Sequence, residues 1–119
     1  MKTKIEWQEG VHFIANTESG NKIYMDGPID SGGGNNGARP TEVLISGMGG
    51  CTAFDVISIA KYKGIKISNF EIDIEAIRTD SKPSLINKIH LSYRIKSDIP
   101  NKQDLESIIK LSVKKQCSC

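Results

Sequence analysis

The sequence predicts an α+β fold in which antiparallel sheets wrap around one long buried central helix. Two patterns carry that expectation. From Val43 to Ala60 nearly every residue is apolar or glycine, and Asp55 is the only charge. From Phe70 to Ala76 and from Ile89 to Ile95, apolar and polar residues alternate strictly, as in half-buried strands.

Taken in order, residues 1–26 read as strands. Val11–Ala15 and Lys22–Met25 flank the polar turn Glu18-Ser-Gly-Asn21 and form a hairpin. Residues 26–39 are rich in Gly and Asn. They lack a Gly-Lys-Ser/Thr ending and a GxGxxG spacing, so they read as a flexible lid or plain linker rather than a phosphate cradle.

Residues 40–64 then read as one helix. Thr41 is the expected N-cap, Glu42 complements the positive end of the dipole, and Gly64 supplies the stop. Val43, Leu44, Ile45, Met48, Phe54, Val56, Ile57 and Ile59 leave almost no polar face, so the helix should be packed on most sides. At about 1.5 Å per residue it would run roughly 30 Å. A chain of 119 residues is small for covering it, and a partner subunit would solve the problem. Gly47, Gly49 and Gly50 cost helix propensity, which points to close approach of another backbone or to open space beside Cys51. The same glycines and Asp55 argue against a membrane span.

The two alternating segments form an antiparallel pair joined by a polar turn at residues 79–84. Phe70, Ile72, Ile74 and Ala76 face inward beside Ile89, Leu91, Tyr93 and Ile95. Glu71, Asp73 and Glu75 then form an outer acidic row opposite a basic one. Strand alternation accounts for these carboxylates without a metal or acid-base role. Leu105, Ile108, Ile109 and Val113 recur at helical spacing in a second, amphipathic helix, and the chain closes on Cys117-Ser-Cys119. No repeat or linker divides residues 1–119, which are expected to form a single domain.

Composition narrows the function. With 16 basic and 14 acidic residues and no aromatic stacking platform, nucleic acid is not an expected partner. The charged start lacks a signal-peptide core, so the chain reads as cytoplasmic and its three cysteines as reduced at rest. Cys117 and Cys119 are closer than the usual zinc pair, with only His12 and His90 to complete a site, and neither His has a claim to activate Cys51 as a hydrolase nucleophile. Two distant cysteines can instead form a reversible disulfide. A thiolate attacks a peroxide O–O bond and becomes a sulfenic acid, which a second thiol converts to a disulfide. Such a thiolate needs a nearby cation, and Arg39 is the nearest in sequence. The bland alternative is that Cys51 is a small core hydrophobe.

Arg39-Pro-Thr-Glu-Val-Leu44, then Gly49-Gly-Cys-Thr-Ala-Phe-Asp-Val56, and later Leu111-Ser-Val-Lys-Lys-Gln-Cys-Ser118, resemble the OsmC/Ohr family of thiol peroxidases. The resemblance is strongest to its OsmC-like branch. It implies an intertwined homodimer with helices packed back to back, with Cys51 peroxidatic, Cys117 resolving and Arg39 stabilising the thiolate. Organic hydroperoxides would be the substrates and thiols or lipoyl proteins the reductants, with no metal, haem or flavin cofactor.

Three positions depart from that pattern. In the characterised peroxidases an acid directly follows the proline and pairs with the catalytic arginine. Here Thr41 stands there and Glu42 comes one residue later, turned by about 100° on a helix. The family's arginine usually lies in the N-terminal half, which holds only Arg39, and the family usually continues beyond the position of Cys119. The competing expectations are a non-catalytic module that binds a small apolar ligand, and a redox sensor acting through Cys117 or Cys119.

Overall fold

In the computed structural model, residues 1–81, 84–97, 106 and 109 are described. The elements are β1 (Thr3–Glu9), β2 (His12–Thr17), β3 (Lys22–Met25), a single 3-10 turn (Ile29–Ser31), α1 (Pro40–Tyr62), β4 (Ile67–Arg78) and β5 (Ile86–Ser97). Two antiparallel sheets and one long helix make this an α+β fold. The chain divides into two compact units, Met1–Leu44 and Ile45–Cys119.

The first unit is a three-stranded meander in the order β1-β2-β3. The expected hairpin is present: Phe13 pairs with Met25, and Ala15 with Ile23. β1 adds a third strand, with Ile5 opposite Ala15 and Trp7 opposite Phe13. Ile5, Trp7, Phe13, Ala15, Ile23 and Met25 therefore share one face. Ala15 is buried there, while Ile5 and Trp7 remain exposed.

The lid-or-linker reading of residues 26–39 needs correction, because this loop is tied down. Its neck is closed where Asp26 N–H donates to the Ala38 carbonyl (3.0 Å) and Ala38 N–H to the Tyr24 carbonyl (3.2 Å). Inside it, Gly33 N–H donates to Pro28 (2.9 Å) and Asn35 N–H to Gly27 (3.1 Å). A Cβ on Gly33 would collide with the Gly27 carbonyl, so the close approach of these two backbones requires glycine.

The cap of α1 lies two residues earlier than the expected Thr41. Pro40 is its first residue and Arg39 its cap: the Arg39 carbonyl accepts from Val43 N–H (3.0 Å) and its own N–H donates to Glu42 Oε1 (2.7 Å). This is half of a capping box, with proline at the position where a missing N–H costs least. The C-terminus follows expectation. Gly64 adopts φ +73°, Ile65 N–H donates to Ala60 (2.8 Å) and Gly64 N–H to Lys61 (3.1 Å), which is a Schellman closure.

In the second unit β4 and β5 pair antiparallel, with Phe70 opposite Ile95, Ile72 opposite Tyr93, Ile74 opposite Leu91 and Ala76 opposite Ile89. That is the register the alternation implies. On the outer face Arg94 pairs with Glu71 (2.9 Å) and with Asp73, so the acidic row is indeed matched by a basic partner. These two carboxylates and the bonds they accept hold the Arg94 guanidinium above its ordinary pKa, and Arg94 in turn lowers that of Asp73.

The core of this unit is Val56, Ala60 and Ile65, against which Ile59, Ile67, Phe70, Ile95 and Ile109 pack. Glu106 and Ile109 are helical, as expected; the rest of the second helix and Cys117 and Cys119 lie outside the described residues. Packing of α1 on most sides is not met within one chain. Its buried residues are Gly49, Thr52, Val56 and Ala60, a single stripe. Leu44, Phe54, Ile57 and Tyr62 are exposed, Phe54 at 73%.

Val56 is wholly buried, so its truncation leaves a cavity at the centre of the second unit. Val56→Ala is expected to cost about 2 kcal/mol, read from urea unfolding as a lower midpoint at unchanged slope.

Candidate functional site

Cys51 sits in the fourth turn of α1, between Gly50 and the buried Thr52, and is a free, half-buried thiol. The glycines around it serve two purposes. A Cβ on Gly49 would collide with the Ile74 side chain, so glycine lets β4 approach the helix, whereas Gly47 and Gly50 face open space. The open space expected here is present at Gly47 and Gly50, whereas the close approach at Gly49 is by the Ile74 side chain and not by another backbone.

Beside the thiol, Ser46, Gly49, Gly50 and Ala53 on the helix and Phe70, Ile72 and Ile74 on β4 line a hollow of about 320 Å³. Cys51 flanks this hollow in sequence but does not line it. The Thr52 hydroxyl donates back to the Met48 carbonyl (3.1 Å). Across the sheet the Tyr93 hydroxyl is buried without a partner that completes a hydrogen bond, while its ring meets that of Phe70 at 6.3 Å between centroids. Burial pushes the Tyr93 phenol up, and the nearby Thr52 hydroxyl offsets part of this.

The other candidates fall in the first unit. Arg39 Nη1 donates to the side chain of Asn35 (3.0 Å) and to the carbonyls of Asp26 and Gly37 (3.4 Å each), so every hydrogen bond of its side chain stays within its own loop. Glu42 does not pair with that guanidinium; its carboxylate is taken by the Arg39 main-chain N–H as a helix cap. Cys51 belongs to the second unit, and Cys117 lies outside the described residues. Among the described residues no group of three His, Cys, Asp or Glu side chains could hold a metal ion.

Asp26 is the polar residue that sequence reading missed. Its side chain is 1% exposed, and its two oxygens accept from the main-chain N–H groups of Gly27 (2.7 Å), Asn36 (3.0 Å) and Gly34 (3.1 Å). The Asn36 amide, together with those of Gly27 and Gly34 and the charge of His12, outweighs burial and lowers the Asp26 pKa from its ordinary 3.8. The available signal was Asp26-Gly-Pro28, an acid entering a glycine-rich loop, where Asp commonly caps its own backbone. Next to it, Glu9, Gly10, His12, Gly32, Gly33, Gly34 and Asn36 join Asp26 around a cleft of about 280 Å³, and the buried His12 Nε2 has no hydrogen-bond partner among the described residues.

Three comparisons bear on this arrangement. A family model described as OsmC-like protein matches residues 32–119. Protein YhfA of Escherichia coli K12 is 28% identical over 118 residues, covering 99% of this chain and 85% of YhfA. A hypothetical protein from Aquifex aeolicus VF5 superposes with a TM-score of 0.80 at 26% identity, over 98% of this chain and 81% of that one. An organic hydroperoxide resistance protein OsmC from Legionella pneumophila superposes at 0.64 with 16% identity, over 96% and 83%, a likeness of fold alone.

A carboxyl that ionises more readily when folded stabilises the fold above the ordinary carboxylate range, and that contribution is lost as pH falls through the lowered folded value. The loop is therefore expected to open in acid below about pH 4, seen as lost protection of the Gly34 and Asn36 amides relative to their intrinsic exchange rates at each pH. In Asp26→Asn the same amides should lack protection already at neutral pH, with little further change in protection on acidification.

Proposed function

The chain belongs to the OsmC-like family, and on that premise we propose that it is a cysteine-based thiol peroxidase that reduces organic hydroperoxides. The observation that carries this reading is a free, half-buried thiol, Cys51, on the central helix within the matched stretch, with open space at Gly47 and Gly50 on its own helix. A structural neighbour named for organic hydroperoxide resistance supports it at the level of fold.

The Cys51 thiolate attacks the distal peroxide oxygen. The O–O bond breaks, the alkoxide leaves and is protonated to the alcohol, and Cys51 becomes a sulfenic acid. Cys117 then condenses with it, forming a Cys51–Cys117 disulfide and releasing water. Two equivalents of a small thiol, or one dithiol such as a lipoyl group, reopen the disulfide by exchange. Arg39 is the cation proposed to favour the thiolate, while Glu42 serves the reaction only by fixing the start of α1.

The reading includes a homodimer in the cytoplasm. Its support is the second stripe of α1, where Phe54 (73% exposed) and Ile57 (46%) lie with Gly47 and Gly50, small residues that permit close helix contact. A helix with apolar residues on this uncovered side calls for a second copy.

A second reading, a binding module without turnover, is favoured by the hollow lined by Phe70, Ile72 and Ile74, which excludes Cys51. The two separate cleanly by intact-mass spectrometry after one equivalent of cumene hydroperoxide. The peroxidase reading expects loss of two hydrogens mapped to Cys51 and Cys117 within seconds, no reaction in Cys51→Ser, and sulfenic or over-oxidised Cys51 in Cys117→Ser. An unmodified Cys51 after minutes would leave the binding module. For the dimer, light scattering at micromolar concentration should give twice the chain mass, falling to one in Phe54→Asp; a wild-type monomer would contradict it.

A further inference from the structure

We propose that Arg39 and the groove beside it form a receptor for a monocarboxylate with an apolar tail. The groove, of about 430 Å³, is lined by Pro28, Ile29, Asp30, Asn35 and Arg39, all within the first unit. Its wall is mostly apolar, and Ile29, one of its residues, is 78% exposed. The half-buried Arg39 lines the same groove.

That guanidinium is anchored along one edge only. Nη1 is held by Asn35, Asp26 and Gly37, whereas Nε and Nη2 have no hydrogen-bond partner among the described residues, and no carboxylate lies within ion-pair distance. The free edge, with two parallel N–H donors, matches the two oxygens of a carboxylate, the pairing for which arginine is better shaped than lysine. The anchor also fixes its direction in advance, because Asp26 and three main-chain amides hold the loop in shape. A carboxylate on that edge would leave its alkyl chain against Pro28 and Ile29. A guanidinium and an apolar wall in one groove thus select an amphipathic acid over an inorganic anion or an alcohol. Asp30 opposes this, being an exposed carboxylate in the same groove, and its repulsion sets the site's sensitivity to salt.

The proposal does not depend on the chemistry of Cys51. Octanoate titrated into ¹⁵N-labelled full-length protein, followed by amide shifts, tests it, with octanol and acetate as controls. Octanoate should give saturable shifts at Ile29, Asn35 and Arg39, octanol none at the same concentration, and acetate weaker binding. Arg39→Gln should weaken octanoate about tenfold or more. Asp30→Asn should tighten it about twofold at low salt. Cys51→Ser should still bind octanoate, no more weakly than the parent, so a failed peroxidase reading leaves this result intact. No octanoate shifts, equal binding of octanol, or unchanged affinity in Arg39→Gln would overturn the proposal. Should Arg39→Gln also lose the Gly34 and Asn36 signals, the loop has opened and Asp30→Asn decides, with unchanged affinity at low salt counting against the site.

Discussion

A helix that is apolar on every side has to be covered on every side, and one chain of this length covers α1 along a single stripe. Gly49, Thr52, Val56 and Ala60 are turned into the core of the second unit. Phe54 and Ile57 are left to water. Exposing two such side chains gives up a few kcal/mol of burial, a large share of the stability of a small domain. Phe54, Gly47 and Gly50 thus form an apolar stripe without a cover among the described residues, and the proposed homodimer rests on it. The Cys51 thiol lies on the same helix.

The first unit is held by the opposite kind of interaction. Its sheet buries only Ala15 fully, and the order of residues 26–38 rests on one buried carboxylate. Asp26 meets three main-chain N–H groups that would otherwise be unsatisfied in a loop without regular structure, and each pairing of an ionised acceptor with an amide is stronger than a neutral one. The carbonyl of the same residue receives Arg39. One side chain thereby sets the loop, and the loop sets the guanidinium.

Periodicity made the helix and the β4–β5 pair legible, because each depends on a repeating contact with one face. Alternation alone shows which residues face inward, and the register then sets Phe70 opposite Ile95 through Ala76 opposite Ile89. The Schellman stop at Gly64 was likewise visible, since few residues other than glycine adopt φ +73° readily. The loop was not legible as an ordered element. Its bonds run between main-chain groups and a single Asp, which leave no periodic trace, and glycine-rich composition suits a tight turn and a slack linker equally. The uncovered side of α1 is legible only in part for a related reason: composition shows that a surface must be covered without showing by which chain. Of the site, Cys51 and its glycines could be read from the sequence, whereas Asp26, His12 and the anchoring of Arg39 required coordinates.

The one-residue displacement of the acid at the start of α1 has a physical consequence. With Pro40 first in the helix, Thr41 is second and Glu42 third. The third position is the one from which a glutamate reaches back to the main-chain N–H of the cap, and Glu42 does so at 2.7 Å. An acid engaged there fixes the helix start and is not available to hold an arginine side chain. Arg39 is consequently oriented by neutral oxygens, from Asn35, Gly37 and Asp26, and keeps its positive charge uncompensated by any carboxylate of its own loop. Neutral acceptors steer a guanidinium without cancelling its field, whereas an ion pair would do both. The shift from the second to the third helical position thus exchanges a neutralised arginine for one whose charge remains available to an anion from outside its own loop.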